Sequence, residues 1–529
     1  MNLTKEILAR NNDIYSEKII LQWKSCEIKK KELISNILEV GFFFKKLKFS
    51  PNSRIILLLN DTPAIFEYFY GAVAVGLIPI FINPRIKLDE LSFLIKDSDC
   101  KIIVMEYENK ELIDKLSINN RDIKIIIQDK YLESATHNEK YIENNNIIYT
   151  PQYSENTSTL DNFIFYDRNE DDMCFWQYTS GTTGTPTAVV HSAKSVRVIA
   201  EELAVKHLAL NNNDIVYSTS KVFFGYGFGN TIIFPLWVNA KVFIDSLWPT
   251  AERIINNIHN ICPTIVFGVP KIYGMILESK IKFQIHENLR LFYSGGAHLS
   301  SSLNEKWYNI TGKYITQGLG STEIGHVYIS NNITNPNIGV TGKPVNTFNI
   351  KILNENGVDI KIGEIGEVYI QPPYKLLGYW NSSKKVNGFL SNNWFKSGDT
   401  CTIDSDGNIK YISRSDNLFK IKGRFVDPNN IEEIILDNTN FNEVYFIGVE
   451  NMNTYDIDTY LCVCLPKGSN ESDKNKYKKE IYNLLENRIK SYTKPSKILF
   501  FNDFGFAYNG NGKVNRNMIA NKIKLLENK

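Results

Sequence analysis

The sequence predicts an α/β protein: a large N-terminal domain of several subdomains with mainly parallel sheets, followed by a small α+β C-terminal domain. Three observations predict it. The chain has 529 residues, too many for one ordinary hydrophobic core. Its N-terminal part alternates apolar, strand-like runs with helical stretches, the pattern of parallel α/β units. Towards the C-terminus the pattern changes to a pair of strands and a charged helix, which reads as a compact unit of its own.

Taken in order, residues 54–59 (RIILLL) read as a buried strand and 62–75 as a helix with Pro63 in its first turn. Residues 77–82 and 101–105 read as further strands. Residues 106–165 are polar and Asn-rich, and are expected to be irregular surface structure with short strands. Strands are expected at 173–178 and 289–293, and apolar runs alternate with glycine clusters up to about residue 415. Beyond that come strands at 444–449 and 460–465 and a helix at about 472–490. The expected division is 1–415 and 416–529. No internal repeat or heptad pattern is visible.

Composition removes several functions. Hydrophobic residues make up 43% and charged residues 22%, a soluble globular balance. Sixty basic against 58 acidic side chains leave a net charge of +2, so no global basic field points to nucleic acid or a membrane surface. The longest apolar run, 70–82, is interrupted by Gly71, Gly76 and Pro79 and is too short to span a bilayer. The first twenty residues hold no apolar secretory core, so a cytoplasmic protein is expected. The seven cysteines are scattered and odd in number, which suggests no disulfide framework. Cys462 and Cys464 share an apolar stretch that reads as a strand rather than a metal site. The histidines form no HExxH pattern.

The densest polar signal is Thr179-Ser180-Gly181-Thr182-Thr183-Gly184-Thr185-Pro186-Thr187, directly after an apolar strand. Glycines let backbone amides turn inward and hydroxyls add donors, which makes a nest for phosphate oxygens. A flexible Gly/Thr surface loop explains the same residues as readily. No Gly-Lys-Ser/Thr follows, which argues against a P-loop NTPase.

Five more segments carry chemistry. Ser294-Gly295-Gly296-Ala297 follows a strand and on its own reads as a turn. Gly318-Leu319-Gly320-Ser321-Thr322-Glu323 ends a glycine-rich run on a carboxylate, an oxygen ligand of the kind hard cations take. A helix start capped by Ser321 or Thr322 explains it equally simply. Ser397-Gly398-Asp399 carries a carboxylate able to accept more than one hydrogen bond, although alone it reads as a common turn. Arg414-Ser415-Asp416 with Lys420-Ile421-Lys422-Gly423 reads as a charged linker, and Asn511-Gly512-Lys513 as a hairpin turn.

Together, and in this order from about Arg54 to Arg516, these segments resemble the adenylate-forming superfamily: acyl- and aryl-CoA synthetases, nonribosomal peptide synthetase adenylation domains and beetle luciferases. The resemblance implies ATP and Mg²⁺. Thr179, Ser180, Gly181, Thr182, Thr183 and Gly184 would hold its β- and γ-phosphates. Gly296, Ala297, Gln317, Gly318 and Leu319 would lie along the nucleotide. Thr322 would donate to the α-phosphate, Glu323 would hold the metal, Asp399 the ribose, and Arg414 the ribose or phosphate. Asp416 would be the hinge, Gly423 would line the thiol's path, and Lys513 would be the catalytic lysine. The chain departs from the pattern at Thr187-Ala188, where Lys-Gly is usual, and at Asn511, where Ser or Thr is usual. The first departure removes a mobile cation for pyrophosphate and leaves the amide nest.

Lys221-Val222-Phe223-Phe224-Gly225-Tyr226-Gly227-Phe228-Gly229-Asn230, Phe267-Gly268-Val269-Pro270 and Ser321 to His326 look like those of benzoate-CoA and related aryl-CoA ligases. That likeness implies an aromatic acid pocket of Phe224, Gly225, Tyr226, Phe267, Gly268, Gly295, Gly320 and His326. Gly225 stands where alanine is usual. Clustered aromatics near a strand end also read as ordinary core packing. The acceptor would be CoA, or the phosphopantetheine arm of a carrier protein. The second option arises because Lys494-Pro495 is followed by Ser496 and not by arginine. A descendant that binds nucleotide or acid without catalysis, and a luciferase-like oxygenase, are the rivals from other classes.

Overall fold

The computed structural model describes residues 1–10, 16–109, 112, 115–116, 122–131, 147–149, 160–179, 186–381, 389–421, 424–451, 456–466, 468–486, 488–489, 493–508 and 514–527. Strands β1 (Ile19–Trp23) and β2 (Cys26–Lys29) precede a long helix, Lys30–Lys46. Then β3 (Arg54–Leu58), β4 (Ile78–Phe81), β5 (Ile102–Glu106), β6 (Lys124–Gln128), β7 (Ile147–Tyr149), β8 (Met173–Thr179) and β9 (Thr187–Ser192) build one sheet. Its order is β7-β6-β5-β3-β4-β8-β9, parallel except for the last pair.

The strands of this sheet are nearly continuous hydrophobic runs because both faces are covered. Ile55, Leu57, Ile102 and Val104 pack into one apolar cluster. Their neighbours Ile56, Leu58, Ile103 and Met105 pack into another on the opposite face. The helix Ala64–Ala74 is buried along its whole length, and Pro63 stands at its N-cap, just before the first turn where it was expected.

A second sheet takes β10 (Ile215–Ser218), β11 (Lys241–Ile244), β12 (Ile265–Gly268), β13 (Leu291–Ser294), β14 (Ile315–Gly320), β15 (Val327–Ser330) and β16 (Lys343–Pro344). These join β1 and β2 in the order β16-β15-β14-β13-β12-β10-β11-β1-β2. The stretch from β14 through β13, β12, β10 and β11 to β1 is parallel. Ile265, Phe267, Leu291 and Tyr293 belong to the same cluster as one face of the first sheet, so a common apolar layer joins the two. Val266 and Phe292 point the other way, under the helices Ala251–Ile261, Pro270–Glu278 and Ser301–Thr311.

β17 (Asn349–Leu353), β18 (Gly366–Gln371), β19 (Phe395–Ile403) and β20 (Ile409–Arg414) form an antiparallel sheet. After Arg414 come the hairpin β21 (Phe419–Ile421) and β22 (Arg424–Val426), then β23 (Val444–Asn451), β24 (Asp456–Cys464) and β25 (Lys497–Phe501). The helices Pro428–Asn438, Glu471–Glu486 and Arg516–Glu527 accompany them. Apolar residues from Ile421 onward pack into two clusters that share no member with the earlier ones. The expected architecture of parallel sheets plus a smaller C-terminal unit is therefore what the chain adopts.

Three details differ from the sequence reading. Within 106–165, β6 is a buried strand hydrogen-bonded to β5 and not surface structure. Residues 322–324 form a single turn between the antiparallel strands β14 and β15, so Ser321 and Thr322 cap no helix. Residues 397–399 lie inside β19 and are not a free turn. Cys462 is buried on β24, next to the half-buried Cys464, as a strand reading requires. Among the described residues no helix is long and apolar enough to cross a membrane.

Candidate active site

The predicted site residues gather where parallel strands end. Thr179 closes β8, Phe267 and Gly268 close β12, Gly295 follows β13, and Gln317 to Gly320 close β14. Register places Gly268 beside Ser294 and Ser294 beside Gln317. Ligands of open parallel sheets bind at such carboxyl ends, where loops diverge and backbone groups are free.

Of the residues predicted to line an acid pocket, Tyr226, Phe267, Gly295 and His326 lie together. The Tyr226 hydroxyl donates to the Tyr293 carbonyl at 3.1 Å, which fixes the ring's far end. That ring lies 5.4 Å from His326 at 30° and 6.2 Å edge-on from Phe267. Gly295 makes the approach feasible, because a Cβ there would stand 2.8 Å from Tyr226 Cε2. Gly320 does the same for the His326 carbonyl, at 2.6 Å. His326 is buried, and burial pulls its pKa down to about 4, so the imidazole is neutral. Its Nε2 is 3.4 Å from the Tyr226 carbonyl, and Nδ1 has no partner among the described residues. Gly268 lies under the Tyr273 ring. Phe224 precedes the helical turn Gly225–Phe228, and its ring lies 4.3 Å from Phe223 at a tilt of 53°. Behind it Lys221 is buried, with its ammonium on the Asp245 carbonyl and 3.6 Å from Asp61.

Asp399 and Arg414 face each other across β19 and β20. Asp399 is buried, accepts from Tyr328 at 3.0 Å and from Arg414 at 3.2 Å, and its amide binds Ser397 Oγ at 3.0 Å. Arg414 also donates to the Ser397 carbonyl at 2.8 Å. It crosses directly over Gly398, whose φ of +72° and lack of a Cβ let the guanidinium pass. Asp416 is exposed, 4.0 Å from Arg414.

Glu323 is half-buried in the β14–β15 turn, and its Oε1 accepts from Tyr379 at 2.6 Å. Residues 378–380 pair with 188–190 of β9, so this contact brings Glu323 alongside β9. Thr322 takes part in the same turn through its carbonyl, 2.9 Å from the Gly325 amide. Gln317 is held by the Val340 carbonyl at 2.6 Å. Gly296 has φ +80°, and Ala297 beside it is exposed. Ser180, Gly181, Thr182, Thr183, Gly184, Gly423 and Lys513 lie outside the described residues. The residues flanking Lys513 are described: Tyr508 pairs with Val514, and Lys271 sits 3.9 Å over the Tyr508 ring, at the start of the helix that follows Gly268.

A single carboxylate stands at the expected metal position, and the described residues contain no group of three or more His, Cys, Asp or Glu able to hold an ion. That donor set fits Mg²⁺, which keeps several waters and takes other oxygens from phosphates.

Residues 8–380 match the family model described as AMP-binding enzyme. The chain belongs to that family. Members similar to it include the anthranilate–CoA ligase of Pseudomonas aeruginosa, 30% identical over 389 residues, covering 73% of this chain and 71% of that protein. The 4-hydroxybenzoate–CoA/benzoate–CoA ligase of Rhodopseudomonas palustris is 29% identical over 422 residues, covering 79% and 76%. Among solved structures, the anthranilate CoA ligase AuaEII in complex with anthranoyl-AMP superposes with a TM-score of 0.87 at 25% identity, covering 100% of this chain and 98% of that one. A benzoate CoA ligase from Burkholderia xenovorans LB400 shares the fold, with a TM-score of 0.83 at 24% identity over 98% and 100% of the two chains.

Three partners escaped the motif reading: Tyr379 on Glu323, Tyr328 on Asp399, and Gln177, whose Oε1 faces Gly225. Gln177 alone carried a signal, as a polar residue inside an apolar strand.

Proposed function

We propose that this AMP-binding enzyme activates an aromatic carboxylic acid with ATP and passes the acyl group to CoA. One observation carries the aromatic half: Tyr226, Phe267, Gly295 and His326 gather at the strand ends, with the Tyr226 ring 5.4 Å from His326, 6.2 Å edge-on from Phe267 and directly over Gly295. The named aryl-CoA ligases among its relatives support the same substrate class.

In the first half-reaction the acid's carboxylate oxygen attacks the α-phosphorus of ATP. An acyl–phosphate bond forms, the α–β anhydride breaks, and pyrophosphate leaves. No protein nucleophile is needed, so positioning and charge stabilisation supply the rate. Asp399 accepts from the ribose hydroxyls, Arg414 keeps that carboxylate in place, and Lys513 stabilises the charge at the α-phosphate. Glu323 would hold Mg²⁺, which supplies neutralisation of the phosphate charge. In the second half-reaction residues 416–529 turn about Asp416 relative to 1–415. Lys513 withdraws, Gly423 admits the thiol arm, and the thiolate displaces AMP.

A carrier-protein arm is the second reading. Ser496 stands where a cation would serve the CoA nucleotide, and Lys497 is paired with Glu527.

Acid-dependent exchange of labelled pyrophosphate into ATP tests the adenylation step. Exchange supported by benzoates is expected. Exchange without any acid, or none with any aromatic acid, overturns the reading.

A further inference from the structure

Strand β8 places successive side chains on opposite faces, so Phe175, Gln177 and Thr179 share one of them. Phe175 on that face stacks on Phe228 at 4.7 Å and 28°, which aims the face at the segment beginning with Gly225. Two residues further along, Gln177 Oε1 lies 3.1 Å from where a Cβ on Gly225 would stand. Gln177 is 5% exposed, and Oε1 has no hydrogen-bond partner among the described residues. Its neighbours on the strand, Cys174, Phe175 and Trp176, are apolar and buried. A leucine would fill the same volume without burying an unsatisfied acceptor, so the amide demands a partner. The missing methyl at Gly225 leaves the room for one. His326, whose ring lies 5.4 Å from that of Tyr226 beside Gly225, carries a second buried polar atom without a partner among the described residues, Nδ1.

We propose that Gln177 is a specificity-determining residue whose amide oxygen accepts a hydrogen bond from an amino or hydroxyl group on the ring of the acid. The inference rests on the acid-slot reading above and narrows the substrate class to donor-substituted benzoates. A site built to bond such a group discriminates strongly against analogues that lack it, because its own polar atom is then left unpaired.

The test compares kcat/KM for aryl-CoA formation across benzoate and its amino, hydroxy and methoxy derivatives at ring positions 2, 3 and 4. The wild type is expected to prefer the amino or hydroxy acid at one position over benzoate by about tenfold or more, with no such gain for methoxy. In Gln177→Leu the ratio of that acid to benzoate should fall about tenfold. Gly225→Ala, which puts a methyl against the amide, should lower the same ratio, so the outcome does not depend on one variant folding. Equal loss for all acids in both variants, or a wild type that prefers benzoate or methoxybenzoates, overturns the proposal. A protein that exchanges pyrophosphate with aliphatic acids alone sinks the aromatic reading itself, and this inference with it.

Discussion

Tyr379 donates its hydroxyl to Glu323 Oε1 at 2.6 Å, while the backbone beside it pairs with β9. One side chain thus ties the β14–β15 turn to β9. Tyr379→Phe removes a hydrogen bond to a charged group, so the KM for MgATP should rise about tenfold. Glu323→Gln should cost more, about 100-fold in kcat/KM, and should raise the Mg²⁺ concentration needed for half-maximal rate. Rates measured against free Mg²⁺ at fixed ATP decide it; an unchanged Mg²⁺ dependence in both variants contradicts the role given to Glu323.

Asp399 is buried and held between Tyr328 and Arg414, and the proposed function assigns its carboxylate to the ribose of ATP. Asp399→Asn keeps the shape and weakens the acceptor. Its KM for ATP should rise about tenfold, and its preference for ATP over 2′-deoxy-ATP should shrink. Steady-state kinetics with the two nucleotides check this. A variant with normal discrimination removes Asp399 from the ribose site.

Lys513→Ala should slow adenylation about 100-fold or more and should affect thioester formation from supplied aryl-adenylate much less. Single-turnover measurements of the two half-reactions separate these outcomes. Equal losses in both remove Lys513 from the adenylation step.

The motifs were legible where local chemistry forces local structure. A glycine cluster at the end of an apolar strand stands out in the sequence, as at 294–297 and at 318–323, where β14 ends in the 322–324 turn. Pairings that depend on distant chain did not. Tyr328 meets Asp399 across 71 residues and Tyr379 meets Glu323 across 56, and neither tyrosine is marked by its neighbours. β6 was hidden for the same reason: its burial comes from lying beside β5, while the sequence around it is polar. The 397–399 segment looks like a turn because Gly398 has a left-handed backbone. Cross-strand pairing of Asp399 with Arg414 keeps it within β19.

Two buried histidines set the acid limit of stability. Burial lowers His326 to about 4 and His191 to about 3, from an ordinary value near 6.5. Below pH 6.5 the unfolded chain binds protons that the folded chain refuses. Stability is therefore fully present above 6.5 and falls as pH drops towards 4, by up to about 1.4 kcal/mol per pH unit for each histidine. Urea midpoints at pH 7, 6 and 5 should decline accordingly. His191→Gln should reduce the slope by about one proton's worth. The same slope between pH 6.5 and 4.5 in the wild type and in His191→Gln contradicts the assignment of His191 as neutral in the fold.

The most direct measurement is a product analysis by mass spectrometry. The purified protein is incubated with ATP, Mg²⁺, CoA and one acid at a time, from benzoates to short aliphatic acids. Aryl-CoA, AMP and pyrophosphate appearing in equal amounts, from aromatic acids, is the predicted result. Aryl-AMP without aryl-CoA moves the acceptor to a carrier protein. ADP as the nucleotide product, or turnover of aliphatic acids in place of aromatic ones, contradicts the account.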